Sequence, residues 1–233
     1  MTRAMTIPDA IADLLAFVRR PTLLEPRGLR ARGALGRWAI LTAVQIAVLG
    51  GVVVQIMLAW QKAFGLSAPN AFDGMSPLAL WGGAVVLAPV LEELFFRGWQ
   101  TGRPAALWLL GATVAGLALF VAFGKGNALA GGLILLATLA AAAIGWWRLR
   151  AQRTAPRWFA RAFPAIFYGT VLLFAAMHLA NYPNVSLLAV PLVLPQAWSG
   201  LMFGYIRQRV GLLGAILTHI ASNAVMLSLA LLG

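Results

Sequence analysis

Polar side chains capable of chemistry stand inside three apolar runs of this 233-residue chain. They are Glu92, Glu93 and Arg97 in the first run, His178 in the second, and His219 and Asn223 in the third. An ionisable group at bilayer depth is unfavourable by several kcal/mol unless it is paired or faces a wet cavity. The three runs therefore predict one buried polar site, and we expect the function of the chain to lie there.

The first run contains two adjacent acids with different surroundings. On a helix, Glu93 and Arg97 are four residues apart and share a face, whereas Glu92 points about 100° away from its neighbour. We expect Arg97 to neutralise Glu93 and to leave Glu92 without an arginine partner, which is the environment of a general base. Pro89 lies three residues before Glu92 and leaves a backbone carbonyl free, so a kink is expected there.

The other two runs supply the remaining groups. His219 and Asn223 are four residues apart on one helical face, so an imidazole and a carboxamide lie side by side. Such a pair suits an oxyanion, a metal or a buried polar network. His178 is the only other histidine and the natural proton-handling partner for Glu92. Asn181 either supports this site or caps the turn that Pro183 begins.

Elimination leaves few kinds of hydrolase. The chain has no Gly-x-Ser-x-Gly, no His-Glu-x-x-His, no cysteine and no pair of aspartates in its apolar runs. A glutamate and two histidines remain. They could activate water directly without a cofactor, or Glu92, His178 and His219 could hold a zinc ion with water as the fourth ligand.

Composition predicts an all-α polytopic membrane protein. Hydrophobic residues make up 61% of the chain and charged residues 10%, far from the balance of a soluble domain. Apolar stretches long enough to span a bilayer predict about seven helices, because the fifth stretch is long enough for two with a turn at 181–184. The stretches are 38–61, 74–91, 104–124, 126–147, 162–206 and 210–233.

Arginines and lysines predict orientation. Seven precede Trp38 and five lie in 148–161, whereas Lys62 and Lys125 stand alone in the alternate connections. The positive-inside rule then puts the N-terminus in the cytoplasm and the C-terminus outside, in an integral protein that we expect in a bacterial inner membrane. The same rule explains the net charge of +12 better than nucleic-acid binding does, because no binding module accompanies the arginines.

The predicted spans divide the chain into two segments. Residues 1–37 form a cytoplasmic segment with an amphipathic helix that Thr6 and Pro8 open, and 38–233 form the transmembrane domain. The apolar positions of this helix, from Ile7 to Val18, share one face. The helix either lies in the membrane interface or packs on the ends of the bundle.

Three motifs together resemble one known family. They are Glu-Glu-Leu-Phe-Phe-Arg-Gly at 92–98, Phe-x-x-x-His at 174–178 and His-x-x-x-Asn at 219–223. In this order and on separate apolar runs, they resemble the CAAX protease and bacteriocin-processing family, also called the CPBP or Abi family.

The resemblance implies an all-helical intramembrane glutamic endopeptidase. Glu92 would then be the catalytic base and His178 its partner in activating water, while His219 and Asn223 would stabilise the oxyanion. Glu93 and Arg97 would support the site. We favour the metal-free mechanism because the family is now usually regarded as glutamate-dependent.

The resemblance also bears on substrates and on alternatives. It implies a membrane protein, a lipidated terminus or a hydrophobic peptide as substrate, approached within the lipid bilayer. Some family members have no demonstrated protease activity, so a catalytically inactive scaffold or immunity protein is one alternative. A proton-coupled transporter that uses Glu92 and His178 as a relay is a second. The oligomeric state is left open.

Overall fold

The computed structural model describes residues 6–232, and every regular element in that range is a helix. Helix α1 spans Ile7–Arg19, and seven further helices are long and apolar enough to cross a membrane. The expected all-α bundle of seven spans with an N-terminal amphipathic helix is confirmed. The spans are α2 (Ala34–Ala63), α3 (Ala79–Arg97), α4 (Pro104–Gly124), α5 (Ala128–Leu149), α6 (Arg157–Asn181), α7 (Leu187–Arg209) and α8 (Leu212–Leu232).

Several spans change their hydrogen-bonding pattern along their length. In π-helical segments, each N–H bonds to the carbonyl five residues earlier. One such segment interrupts α2, one begins α3 and one ends α4. Short 3₁₀ segments end α6 and begin α7, on either side of the expected turn at 181–184. The π segments are Leu49–Val53, Ala79–Leu87 and Phe120–Gly124, and the 3₁₀ segments are His178–Asn181 and Leu187–Val193.

The chain divides into two compact units. Residues 98–162 form one unit, which contains α4 and α5. These two helices approach closely because small residues line their contact: a Cβ at Gly116 would overlap Thr138, and one at Gly145 would overlap the indole of Trp108. Trp108 Nε1 donates to the Ala141 carbonyl at 2.8 Å. Close packing through small residues is the usual basis of helix association in membranes.

The other unit contains all the candidate site residues, and α7 is its most buried helix. From Met202 to Gln208 every residue of α7 is buried. Helix α2 joins this unit through polar contacts: Gln45 Nε2 donates to Ser199 Oγ at 3.0 Å, and the hydroxyls of Thr42 and Thr218 lie 2.7 Å apart. These hydrogen bonds tie α2 to α7 and α8, the helices that frame the site.

Helix α1 packs on this unit. Thr6 caps it, with the Thr6 hydroxyl accepting from the Asp9 N–H and the Asp9 carboxylate accepting from the Thr6 N–H. Ala10, Leu14 and Phe17 are buried. The expected packing on the bundle is therefore present for one face of α1. Residues 1–5 of the predicted N-terminal segment lie outside the described residues, and both the division at residue 38 and the orientation stay predictions.

Candidate active site

Helix α3 carries the two acids and the arginine, and it separates them as expected. Arg97 Nη1 donates to Glu93 Oε1 at 2.8 Å, and both side chains are completely buried. The side chain of Glu92 is 30% exposed. The i,i+4 pair thus neutralises two buried charges, while the neighbouring carboxylate keeps access to its surroundings.

His219 on α8 lies between the two carboxylates. Its Nδ1 is 3.1 Å from Glu93 Oε1, and its Nε2 is 3.8 Å from Glu92 Oε2. Neither contact is predictable from the sequence, because both depend on how α8 packs against α3. Two carboxylates, one guanidinium and one imidazole therefore form a cluster that is electrically neutral when the imidazole is protonated.

Aromatic rings fix the direction of this imidazole. The His219 ring stacks on Phe203 of α7 with centroids 4.3 Å apart, and the edge-on ring of Phe174 from α6 lies 6.0 Å away. The guanidinium of Arg97 lies 4.4 Å from the Phe174 centroid. Phe174 and Phe203 thus exclude water from the buried side of the cluster, which strengthens its electrostatic interactions.

His178 opens the 3₁₀ turn at the end of α6. Its Nδ1 lies 2.7 Å from the Phe174 carbonyl oxygen, and its ring is 4.7 Å from the Phe174 ring. A carbonyl oxygen only accepts, so Nδ1 carries the proton and the neutral tautomer has an accepting lone pair on Nε2. Both imidazoles contact Phe174, but the imidazole within 4 Å of Glu92 in the described chain is that of His219.

Asn223 contacts the backbone of α3. Its Nδ2 donates to the Ala84 carbonyl at 3.1 Å. In this π-helical segment the Ala88 N–H bonds to the Gly83 carbonyl, five residues earlier. By the same spacing, the Ala84 carbonyl would accept from the backbone nitrogen of Pro89. Proline has no N–H, which leaves that carbonyl without its helical donor. Asn223 therefore satisfies the carbonyl that Pro89 leaves free, about two turns before Glu92.

Asn181 lies in the 3₁₀ turn at the end of α6, and its carbonyl accepts from the Asn70 N–H at 2.9 Å. This backbone contact joins the turn to the loop before α3. It does not involve the Asn181 side chain, so the supporting role and the capping role of that side chain both stay predictions.

Two residues of α7 hold Arg97 and were missed in the sequence. Arg97 Nη2 donates to the Gly200 carbonyl at 3.3 Å, and Arg207 Nε donates to the Arg97 carbonyl at 3.1 Å. A Cβ at Gly200 would lie 3.2 Å from Phe174 Cδ1, so the close approach favours glycine. Arg207 is buried, and no sequence signal distinguishes it from the arginines beside the other spans.

The ligand geometry bears on the zinc alternative. Among residues 6–232, no three His, Cys, Asp or Glu side chains form a group that could hold a metal ion. Glu92, His178 and His219 are not among such groups in that range, and both the zinc and the metal-free mechanism stay predictions. Glu93 and the Phe174 carbonyl accept from the Nδ1 atoms of the two imidazoles.

Comparison with known proteins agrees with the motifs. The family model for type II CAAX prenyl endopeptidase Rce1-like proteins matches residues 74–164 and 152–225, which together make up more than half of the chain. These ranges contain every candidate site residue. No curated protein and no solved structure matches the chain significantly. The family match and the ordered motifs show that the chain belongs to the Rce1-like family of CAAX proteases.

Proposed function

We propose that this protein is an intramembrane glutamate-dependent endopeptidase. Membership of a protease family supports a peptidase, and the observation that carries the finer proposal is the contrast between the two acids of α3. Glu93 is buried and neutralised by Arg97, whereas Glu92 is partly exposed and faces His219 across 3.8 Å. A carboxylate that is accessible yet adjacent to a dry cluster suits general-base chemistry.

In the proposed reaction, Glu92 takes a proton from water as the water oxygen bonds to the carbonyl carbon of the scissile peptide. The His178 Nδ1 proton is donated to the Phe174 carbonyl, which leaves a lone pair on Nε2. We propose that this lone pair accepts from the water and helps to position it. The carbon–nitrogen bond then breaks, and the proton held by Glu92 passes to the leaving amine. General acid–base assistance of this kind contributes roughly 10²–10⁴-fold to the rate.

The proposed oxyanion donors are His219 and Asn223. Because His219 Nδ1 donates to Glu93, the ring must carry both protons if Nε2 is to donate as well. Asn223 Nδ2 carries two hydrogens, of which one bonds to the Ala84 carbonyl. The second hydrogen is the proposed donor to the oxyanion. Glu93 and Arg97 are proposed to hold His219 in place.

The proposed substrate is a membrane protein, a lipidated terminus or a hydrophobic peptide that enters from the bilayer. The connections between the seven spans are too short to hold a separate recognition domain, so we propose that the substrate binds between the helices. We also propose that the N-terminus is cytoplasmic and the C-terminus outside, in a bacterial inner membrane, as the arginine distribution favours. Catalysis is proposed to be metal-free, and full activity in the presence of a zinc chelator would support this.

Terminal-peptide proteomics tests the proposal in cells. Membrane and secreted fractions are compared between cells with the wild-type protein and cells with Glu92→Gln at equal abundance. The proposal predicts new protein termini in the wild-type cells alone. Identical termini, together with rescue of a deletion phenotype by both proteins, would favour the inactive scaffold or immunity protein. Flux across liposomes that depends on pH and on Glu92, without cleavage, would favour the transporter.

A further inference from the structure

Helix α1 has more apolar surface than the protein covers. Its buried face, Ala10, Leu14 and Phe17, packs on the bundle. A second row, spaced four residues apart, is exposed: Ile7 by 57%, Ile11 by 43% and Leu15 by 51%. Large aliphatic side chains arranged in a row and exposed to this degree require a partner other than water.

The two apolar rows are neighbours on the helix surface. At 100° per residue, Leu14 and Leu15 bring the buried and exposed rows into one continuous apolar arc, of which the protein covers only one half. The opposite side of α1 has Asp9, Ala12 and Ala16, all exposed. This pattern is that of a helix shared between a protein surface and a lipid layer.

The exposed row has a fixed direction because α1 is firmly attached. Asp13 accepts from the Tyr205 hydroxyl and from Arg209 Nη2, both at 2.6 Å. The Phe17 ring lies 5.2 Å from Phe167 and 5.3 Å from Tyr205. Tyr205 and Arg209 belong to the last turns of α7, so the attachment point is at the end of a spanning helix, where the hydrocarbon core gives way to headgroups.

Charge identifies the kind of lipid. Five arginines at the end of α1 and in the segment that follows are exposed, whereas Glu25 is the single acid between residues 14 and 37. A cluster of arginines beside an amphipathic helix is attracted to anionic headgroups by about 1 kcal/mol for each cation near the surface. The five are Arg19, Arg20, Arg27, Arg30 and Arg32.

We propose that α1 and the basic segment after it form a lipid-binding surface. Ile7, Ile11 and Leu15 insert at the boundary between acyl chains and headgroups, and the exposed arginines bind anionic phospholipid headgroups. The surface is linked to the candidate site, because α1 is attached to α7, whose residues Gly200 and Arg207 contact Arg97. This binding function does not depend on peptidase activity.

The chain has no cysteine, so single-cysteine variants of the full protein can report the environment of each face. Ile11→Cys probes the proposed lipid-facing row, and Ala16→Cys is the matched control on the opposite side of α1. Each is labelled with a polarity-sensitive fluorophore and reconstituted in vesicles of phosphatidylcholine alone or with phosphatidylglycerol. Quenching by a lipid-borne quencher is compared with quenching by aqueous iodide.

We expect the label at residue 11 to emit at shorter wavelength and to show a lipid-to-iodide quenching ratio at least about twofold above that at residue 16. The ratio at residue 11 should rise further with phosphatidylglycerol. Equal iodide access at both positions would overturn the lipid-binding surface. If the label at residue 11 is protected from iodide increasingly as the protein-to-lipid ratio rises, but is not quenched from the lipid, the row contacts a second copy of the protein and the proposal is wrong. No response to phosphatidylglycerol would overturn the role of the arginines.

Discussion

Removing the charge of Glu93 should destabilise the protein much more than removing the charge of Glu92, its neighbour on α3. Glu93→Gln keeps the shape of the side chain but leaves the completely buried guanidinium of Arg97 without its carboxylate partner at 2.8 Å. It also weakens the contact with His219 Nδ1 at 3.1 Å. Breaking a buried ion pair by removing one partner destabilises a protein by about 3–5 kcal/mol. We expect a loss of that size.

Glu92→Gln is the matched control, because it makes the same change at the adjacent position. The Glu92 side chain is partly exposed, and the His219 imidazole lies 3.8 Å away. A partly solvated ion pair contributes about 0–1 kcal/mol. The difference between these two ranges is about 2–5 kcal/mol, and the two variants should differ by that amount in the free energy of unfolding.

The assay is reversible unfolding of the purified proteins in mixed detergent micelles, followed by intrinsic tryptophan fluorescence. The double variant Glu93→Gln with Arg97→Met should be less destabilised than the sum of its two single variants, because it leaves no unpaired buried charge. If Glu93→Gln were no less stable than Glu92→Gln, the assignment of a structural role to Glu93 would be wrong.

Two further predictions concern backbone contacts, and the same unfolding assay measures both. Asn223→Ala should destabilise the protein by about 1 kcal/mol. The loss should be smaller in a Pro89→Ala background, because the restored N–H of residue 89 can donate to the Ala84 carbonyl. Equal losses in both backgrounds would contradict the role of Asn223 as the donor to that carbonyl. Gly145→Ala should destabilise by about 1–3 kcal/mol because its Cβ overlaps Trp108. Gly132→Ala, with open space around it, should be neutral or slightly stabilising. Equal effects at the two glycines would show that α4 and α5 do not pack this closely.

Local patterns in the sequence predicted much of this architecture. Spans of about 20 apolar residues, the turn after Asn181 and the cap at Thr6 depend on composition and on residues a few positions apart. The Glu93–Arg97 pair was predictable for the same reason, since four residues along a helix bring two side chains together. The free carbonyl before Pro89 was also expected, although its π-helical position was not.

The rest of the site depends on how distant helices pack. His219 lies 126 residues from Glu93 and meets it only because α8 packs on α3. Asn223 bonds to Ala84 because a π-helical segment determines which carbonyl Pro89 leaves without a donor. Arg207 looks in sequence like any other arginine at a helix end. The pairing of His178 with Glu92 and the proposed catalytic roles stay predictions.

The central claim is that Glu92 is the base of a peptide hydrolysis. The most direct test is the rate of cleavage by purified protein in proteoliposomes, measured by mass spectrometry on a panel of prenylated and unprenylated membrane-bound peptides. Wild type should cleave at least one peptide, and Glu92→Gln should lower kcat by roughly 10²–10⁴-fold while its unfolding free energy stays near that of wild type. Cleavage by Glu92→Gln at the wild-type rate would contradict the claim.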